Sequence, residues 1–160
     1  MAGKIEARLA ELGIDVPAAA APAANYVPYV VTGNLVFISG QVPFVDGKIT
    51  YQGKVGTDFT TEEGIDCARV CALNIIAQVK AACGGDLDRV VRCVKLGGFV
   101  NCIDGFGDQP KVINGASDLM VDVFEAKGRH ARFAVGTNAL PLNVAVEIDA
   151  VFEISSGSQI

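Results

Sequence analysis

The stretch HARFAVG at residues 130–136, followed by LP at 140–141 and VEI at 146–148, decides how this chain is organised. The first piece has the apolar pattern of a buried β-strand, yet Arg132 lies within it. An unpaired guanidinium is expensive to desolvate, so Arg132 needs a partner. We expect that partner to be a ligand or, if the arginine lies at a strand end, water or a neighbouring carboxylate.

The segment that follows has a strict two-residue periodicity. Over residues 144–154, apolar side chains alternate with a second set that includes Glu147, Asp149 and Glu153. Side chains of a strand point alternately to its two faces, so this pattern predicts a half-buried strand with one core face and one polar face. Glu147 therefore belongs either to a site or to a solvated strand face. We expect this strand to form a hairpin with the strand at 131–136.

Local signals upstream predict the remaining elements. They are a helix at 3–12, a hairpin at 26–44, a short edge strand at 48–51, a helix from the capping box at 60–63 to Gly84-Gly85, a strand at 89–101 and a helix at 108–128. Within the strand, the pair Gly97-Gly98 indicates a bulge or a close approach of a ligand or another backbone. Strands and helices are grouped rather than alternating, which predicts an α+β sheet with helices on one face.

The composition predicts one domain that associates with further copies. The 160 residues suffice for a single core, with residues 1–24 as an extension made of the first helix and an Ala/Pro linker. Hydrophobic residues make up 51% and charged residues 19%, and the mean hydropathy is +0.38, so we expect apolar surface to be buried between subunits. No run reaches the roughly 18 apolar residues of a membrane span, and the N-terminus lacks a secretion signal. A cytoplasmic protein without membrane association is expected.

Charge and cysteine content argue against several kinds of site. The net charge is −5 and basic residues form no cluster, whereas nucleic-acid phosphates require basic contacts, so no nucleic-acid partner is expected. The five cysteines include no CxxC pair, and the chain has one histidine, which predicts neither a metal site nor a disulfide framework. We interpret the cysteines as small buried hydrophobes in a reducing compartment.

Four short motifs follow one another along roughly residues 22–154. They are APAAxxxPY at 21–29, ISGQVP at 38–43, AR at 131–132, and LP at 140–141 with VEI at 146–148. In this order and spacing they resemble the Rid/YjgF family, also called the L-PSP endoribonuclease-like family, whose members are similar in fold to chorismate mutase. The resemblance implies an α+β domain, a mixed or antiparallel sheet with two main helices on one face, and a homotrimer with clefts between subunits.

The resemblance also implies an activity. Reactive-intermediate deaminases of the family hydrolyse the enamine or imine products of PLP enzymes to 2-oxo acids and ammonia, and an arginine matching Arg132 grips the substrate carboxylate. A planar guanidinium fork suits that task. Glu147 would handle the proton of the attacking water. No metal or organic cofactor is required, because an iminium carbon is already electrophilic. The substrate-binding positions of the family carry over to Tyr29, Ser39, Gly40, Asn114 and Ala134.

Each of these positions has an ordinary structural alternative. Ser39 could hydrogen-bond backbone at a strand end, Tyr29 could be a core aromatic with its hydroxyl at the surface, and Asn114 could be an exposed helix residue. His130 is the single histidine and could act as a general base. Its place at a loop-to-strand junction instead favours a position on the rim of the cleft.

Two features depart from the family pattern and indicate a divergent subgroup. Ala134 stands where the deaminases often have cysteine, a role in which the backbone suffices. The N-terminal helix and the longer, glycine-rich segment 97–109 also differ from the shortest family members. Two functions compete: a 2-iminobutanoate/2-iminopropanoate deaminase, and a non-catalytic trimer that binds small carboxylates or regulates a partner protein. An endoribonuclease, after the family's older name, is disfavoured by the acidic charge and the single histidine.

Overall fold

The fold is a five-stranded sheet covered on one face by helices. The computed structural model describes residues 2–21 and 24–156, so Pro22 and Ala23 of the predicted linker lie outside the described residues. The elements are α1 (Lys4–Leu12), β1 (Tyr29–Thr32), β2 (Leu35–Gln41), β3 (Phe44–Val45), β4 (Lys48–Ile49), α2 (Thr61–Ala82), β5 (Val90–Asn101), α3 (Gln109–Phe124), β6 (Ala131–Thr137) and β7 (Val146–Ile154). The strand order is β1-β2-β7-β5-β6. β5 and β6 are parallel and the other neighbours are antiparallel, so the α+β class and the mixed sheet are confirmed.

β7 lies in the middle of this sheet, and its predicted alternation is confirmed. Its buried residues are Val146, Ile148, Ala150, Phe152 and Ile154, and the residues between them lie on the other face. The predicted hairpin between β6 and β7 is wrong, because β7 pairs with β2 and β5. β6 is connected to its parallel neighbour β5 through α3, as parallel strands require, and this crossover places β6 at the sheet edge.

A second correction concerns the short strand predicted after Asp46-Gly47. This strand is present as β4, but it pairs with β3 in a two-stranded sheet of its own instead of extending the main sheet. The turn at Asp46-Gly47 has positive φ at both residues, which gives a tight hairpin connection, so the two-residue strands β3 and β4 pair with each other.

α2 and α3 pack on the same face of the sheet. α2 begins at the predicted capping box, in which the Glu63 amide donates to Thr60 Oγ1 (3.1 Å) and the Thr60 amide donates to Glu63 Oε2 (2.7 Å). α3 ends at Phe124 and not at the predicted Gly128, because a 3-10 turn follows it. At α1, the amides of Lys4 and Ile5 donate to the Asp88 carboxylate. Within the described residues, no helix combines the length and apolarity that crossing a bilayer requires.

Gly97 and Gly98 allow side chains to approach β5 from both faces. A Cβ atom at Gly97 would overlap the Asp149 carboxylate and lie 2.6 Å from the Phe133 ring, and one at Gly98 would lie 2.6 Å from Ile113 of α3. Side chains, and not the predicted ligand or second backbone, make the close approach at this pair. The alternative of a bulge at this pair is wrong, since the register shifts of β5 fall at 90–92 and 93–95.

The cysteines contribute to the core as predicted. All five are free and buried. Burial raises the pKa of the Cys93 thiol to about 12, so this group is neutral at ordinary pH and packs as a small hydrophobe. Burial, followed by a hydrogen bond to Cys67, also raises the pKa of Cys71 well above its ordinary value.

The sheet face turned away from α2 and α3 is called the open face here. It carries large apolar side chains, each at least 36% exposed: Val30, Leu35, Phe37, Phe99 and Val135. Phe99 also packs edge-on against Phe133, with ring centroids 5.3 Å apart. Exposed apolar patches of this kind mark surfaces that bind other macromolecules.

Candidate functional site

β6 places Arg132 at the sheet edge, with its side chain on the face covered by α3. In the register with β5, Arg132 is opposite Leu96, a fully buried core residue. Nη1 of Arg132 donates to Asn114 Oδ1 (2.9 Å) and to Ser117 Oγ (3.1 Å), and Nη2 donates to the Pro110 carbonyl oxygen (3.2 Å). All three acceptors belong to α3, so this helix holds the guanidinium against β6.

The guanidinium keeps further hydrogen-bonding capacity. Arginine has five N–H donors in a planar fork. After the three bonds to α3, the Nε hydrogen and one Nη2 hydrogen of Arg132 have no protein partner among residues 2–21 and 24–156. No carboxylate in that part of the chain forms an ion pair with Arg132. A neighbouring carboxylate is therefore excluded within the described part of one chain, and a ligand or water remains as the partner of these two hydrogens.

Asn114 and Ala134 flank this arginine. Asn114 is an exposed residue of α3, as its structural alternative predicted, and it also contacts Arg132 directly. Ala134 lies two residues further along β6, on the same face as Arg132, and packs against the core. We call Arg132, Asn114 and Ala134 the arginine half-site.

Ser39, Gly40 and Glu147 form a second group, called the carboxylate half-site. The pairing of β2 with β7 is irregular at Ser39 and Gly40. A Cβ atom at Gly40 would lie 2.6 Å from Glu147 Oε1, so the glycine provides the space that the carboxylate occupies. Ser39 Oγ donates to the Val27 carbonyl oxygen (2.8 Å), the backbone bond that its structural alternative predicted.

The two half-sites lie apart within one chain. Arg132 is on the helix-covered face of the sheet, whereas Glu147 alternates with buried Val146 and Ile148 and so lies on the open face. Tyr29 begins β1, at the opposite edge of the sheet from β6. Four strand spacings separate these edges, a distance of roughly 19 Å. The structure thus pairs Arg132 with Asn114 and Gly40 with Glu147. Tyr29 lies far from Arg132 in the same chain, and it packs against the core, on the face of the sheet opposite Glu147.

The surroundings of Glu147 alter its acidity. Burial, and secondarily the charge of Asp149 on the same strand face, raises the pKa of Glu147 above its ordinary value. A carboxyl group with a raised pKa holds a proton closer to neutral pH, which suits general acid–base chemistry.

The raised pKa of Glu147 predicts a pH-dependent effect of Glu147→Gln on stability. The unfolded chain ionises this group near its ordinary pKa of 4.5, before the native protein does, so ionisation destabilises the fold as pH rises from there through the native pKa. We expect the variant to melt higher than the native protein above the native pKa of Glu147, and this advantage to vanish below the ordinary pKa. Melting temperatures across a pH series measure the difference, and a pH-independent difference would contradict the prediction.

Sequence patterns did not single out Ser117 or the carbonyl of Pro110. Ser117 lies three residues after Asn114, one helical turn on the same face, and this spacing is the signal that could have identified it. His130 contacts it: the Nε2 atom lies 2.9 Å from Ser117 Oγ, and Nδ1 lies 2.6 Å from the Gly128 carbonyl oxygen. Both ring nitrogens are engaged within the chain, which argues against a general-base role. Across the described residues, no group of three His, Cys, Asp or Glu side chains is arranged to hold a metal ion.

Comparison with known families agrees with this architecture. Residues 6–154 match the family model described as YjgF/chorismate mutase-like, "putative endoribonuclease". The chain belongs to the YjgF/chorismate mutase-like family. It is 50% identical over 155 residues to protein TCP17 of Trypanosoma cruzi, which is 96% of either chain. The resemblance stated from the sequence motifs is therefore confirmed.

Solved structures of similar proteins show how far this similarity extends. The Agrobacterium tumefaciens protein Atu1372, of unknown function, is 50% identical with a TM-score of 0.88, covering 94% of this chain and 92% of its own. A "putative endoribonuclease" of Shewanella oneidensis is 38% identical with a TM-score of 0.91, covering 95% and 100%. The YjgF gene product of E. coli is 27% identical with a TM-score of 0.61, covering 84% and 92%. This YjgF-family chain thus shares more of its architecture with the first two proteins than with the third.

Proposed function

We propose that this YjgF-family protein hydrolyses small enamine or imine intermediates that carry a carboxylate, releasing a 2-oxo acid and ammonia. The observation that carries the proposal is the guanidinium of Arg132, which α3 holds in place while two of its N–H groups have no acceptor among the described residues. A carboxylate forms its strongest pair with arginine through two parallel N–H bonds. Because the guanidinium is ordered before the ligand arrives, binding loses less conformational entropy.

The chemistry needs little beyond positioning. Water adds to the electrophilic carbon of a protonated imine, and the resulting carbinolamine expels ammonia as the carbonyl forms. In our proposal, Arg132 anchors the carboxylate and Glu147 removes a proton from the water and returns it to the departing nitrogen. Because burial raises the pKa of Glu147, its carboxylate accepts a proton more readily than an ordinary glutamate does. Tyr29, Ser39, Gly40, Asn114 and Ala134 shape the cleft around the substrate.

This mechanism requires two chains at each site. Arg132 and Glu147 lie on opposite faces of the sheet, so one small substrate cannot contact both within one chain. The apolar open face supports association of chains. We propose the homotrimer that the family resemblance implies, in which each cleft combines the arginine half-site of one chain with the carboxylate half-site of its neighbour.

Assembly can be tested with Phe37→Asp, which places a charge on the open face. Phe37 is 45% exposed in the single chain, and if this surface is buried between chains, a charge there is strongly unfavourable. We expect the native protein to sediment as a trimer and the variant as a monomer without hydrolytic activity. Val121→Asp, at an exposed apolar position of α3, should leave the trimer intact. A native monomer, or a Phe37→Asp trimer, would contradict this assembly.

The activity itself is tested with freshly generated imines. An amino-acid oxidase acting on several amino acids supplies the imines, and their decay is followed with and without this protein. Acceleration above buffer, with 2-oxo acid and ammonia as products, is the expected result. An intact trimer that accelerates no imine would overturn the deaminase.

A second candidate is a non-catalytic trimer that binds small carboxylates. It is favoured by the arginine half-site, whose contacts are complete within one chain and do not involve Glu147. Both functions predict that 2-oxobutanoate raises the melting temperature, since a ligand that binds only the native state stabilises it. Protection without turnover would establish the binding function.

An endoribonuclease is a third possibility, suggested by the description of the Shewanella oneidensis relative. The net charge of −5 weighs against RNA affinity, because phosphate contacts dominate such binding. Incubation of the pure protein with single-stranded RNA should therefore leave the RNA intact, and cleavage that disappears in Arg132→Ala would revive this function.

A further inference from the structure

A continuous chain of hydrogen bonds links His130 to the guanidinium of Arg132. The Gly128 carbonyl oxygen lies 2.6 Å from His130 Nδ1, and His130 Nε2 lies 2.9 Å from Ser117 Oγ. Ser117 Oγ in turn accepts a bond from Arg132 Nη1 at 3.1 Å. The chain therefore connects the loop after α3, α3 itself and the edge strand β6.

The direction of each bond in this chain is determined by its first member. A carbonyl oxygen only accepts, so Nδ1 of His130 must carry the hydrogen that it donates to Gly128. In the neutral imidazole, Nε2 is then an acceptor, and the hydroxyl hydrogen of Ser117 points to it. The lone pairs of Ser117 Oγ remain for Arg132. His130 thus orients the serine as an acceptor toward the guanidinium.

Without His130, the serine has a competing partner. A helical serine readily donates its hydroxyl hydrogen to the backbone carbonyl oxygen one turn earlier. In that orientation, the lone pairs of Ser117 Oγ would no longer be directed by His130 toward Arg132. The guanidinium would then depend at Nη1 on Asn114, whose side chain is exposed and free to change rotamer. Arg132 would then be less ordered in the free protein. Binding a carboxylate would cost more conformational entropy, so the affinity would be weaker.

We propose that His130 and Ser117 are positioning residues that fix Arg132 in its carboxylate-binding orientation. The inference rests on the proposed function only in that Arg132 binds a carboxylate; it does not require turnover. It predicts two independent observations. The single histidine has one tautomer, and substitutions of Ser117 and His130 weaken carboxylate binding in a non-additive way.

The tautomer can be read directly by 15N NMR of the imidazole, because the protein contains one histidine. The expected spectrum of the neutral imidazole shows Nδ1 protonated and Nε2 unprotonated. Ser117→Ala should shift the Nε2 resonance, because that atom loses its hydrogen-bond donor. An Nε2–H tautomer, or a spectrum unaffected by Ser117→Ala, would overturn the proposed chain of bonds.

Affinity is measured by calorimetric titration with 2-oxobutanoate. We expect Ser117→Ala and His130→Phe each to weaken binding about tenfold, the loss associated with one hydrogen bond to a charged group. The double variant should bind 2-oxobutanoate no more weakly than either single variant does, because both substitutions interrupt the same series of hydrogen bonds. His130→Gln, whose side-chain oxygen can accept from Ser117, should restore most of the affinity. Asp118→Ala, an exposed neighbour on α3, is the control and should bind as the native protein does.

Failure of this proposal can be distinguished from failure of the proposed function. If the native protein binds 2-oxobutanoate and the variants bind equally well, or if the effects of the two substitutions add, the positioning role is wrong. Carboxylate binding by Arg132 is not contradicted by that result. If the native protein binds but does not hydrolyse imines, the deaminase is wrong and the positioning role stands. If the native protein does not bind 2-oxobutanoate, the carboxylate anchor and the positioning role are both overturned.

Discussion

Arg132→Ala is expected to lower kcat/KM for a carboxylate-bearing imine by roughly 10²-fold or more. The substitution removes the one side chain that α3 holds ready for the carboxylate, and loss of one member of a partly buried ion pair typically costs about 3 kcal/mol. Initial rates of hydrolysis of oxidase-generated imines, at several imine concentrations, measure the effect.

Two further variants show whether this loss reflects the guanidinium itself. Arg132→Lys keeps the charge but not the planar fork, so we expect only partial recovery of kcat/KM. Arg129→Ala removes an exposed arginine three residues earlier and should leave the rates unchanged. Sedimentation must show that each variant assembles as the native protein does. Full activity of Arg132→Ala in an intact assembly would refute the anchor and, with it, the proposed mechanism.

Gly115→Ala is expected to lower the free energy of unfolding by about 3 kcal/mol. Gly115 lies where α3 crosses α2, and a Cβ atom there would overlap the carbonyl oxygen of Ile65, with the carbonyl carbon 3.0 Å away. That obstacle is helical backbone, which moves only if the two helices separate and lose part of their packing. Urea unfolding at one fixed protein concentration measures the change, since association contributes to apparent stability.

Gly107→Ala is the matched control for this variant. A Cβ atom at Gly107 would have no heavy atom within 4 Å, and the residue does not have a positive φ, so the substitution should change stability by less than about 0.5 kcal/mol. If Gly115→Ala were as well tolerated as Gly107→Ala, α2 and α3 would not approach as closely as the structure shows.

Several elements could be predicted because their signals are local. The capping box at Thr60 and Glu63 forms both of its bonds, and the alternation of β7 buries the residues that the pattern assigned to the core. Ser117 shows the opposite case. It is an unremarkable helix residue by type, and only the register of β6 against β5 and α3 makes it a partner of Arg132.

Residue types and local spacing were enough to predict the family, the α+β class and the starts of the helices. These features depend on residue type, on periodicity and on contacts a few residues apart, which are encoded along the chain. The position of β7 between β2 and β5, and the placement of Arg132 and Glu147 on opposite faces of the sheet, could be learned only from the folded protein. Strand order and side-chain partners depend on packing among segments that are distant in the sequence. The local pattern of one segment does not specify which distant segment it will contact.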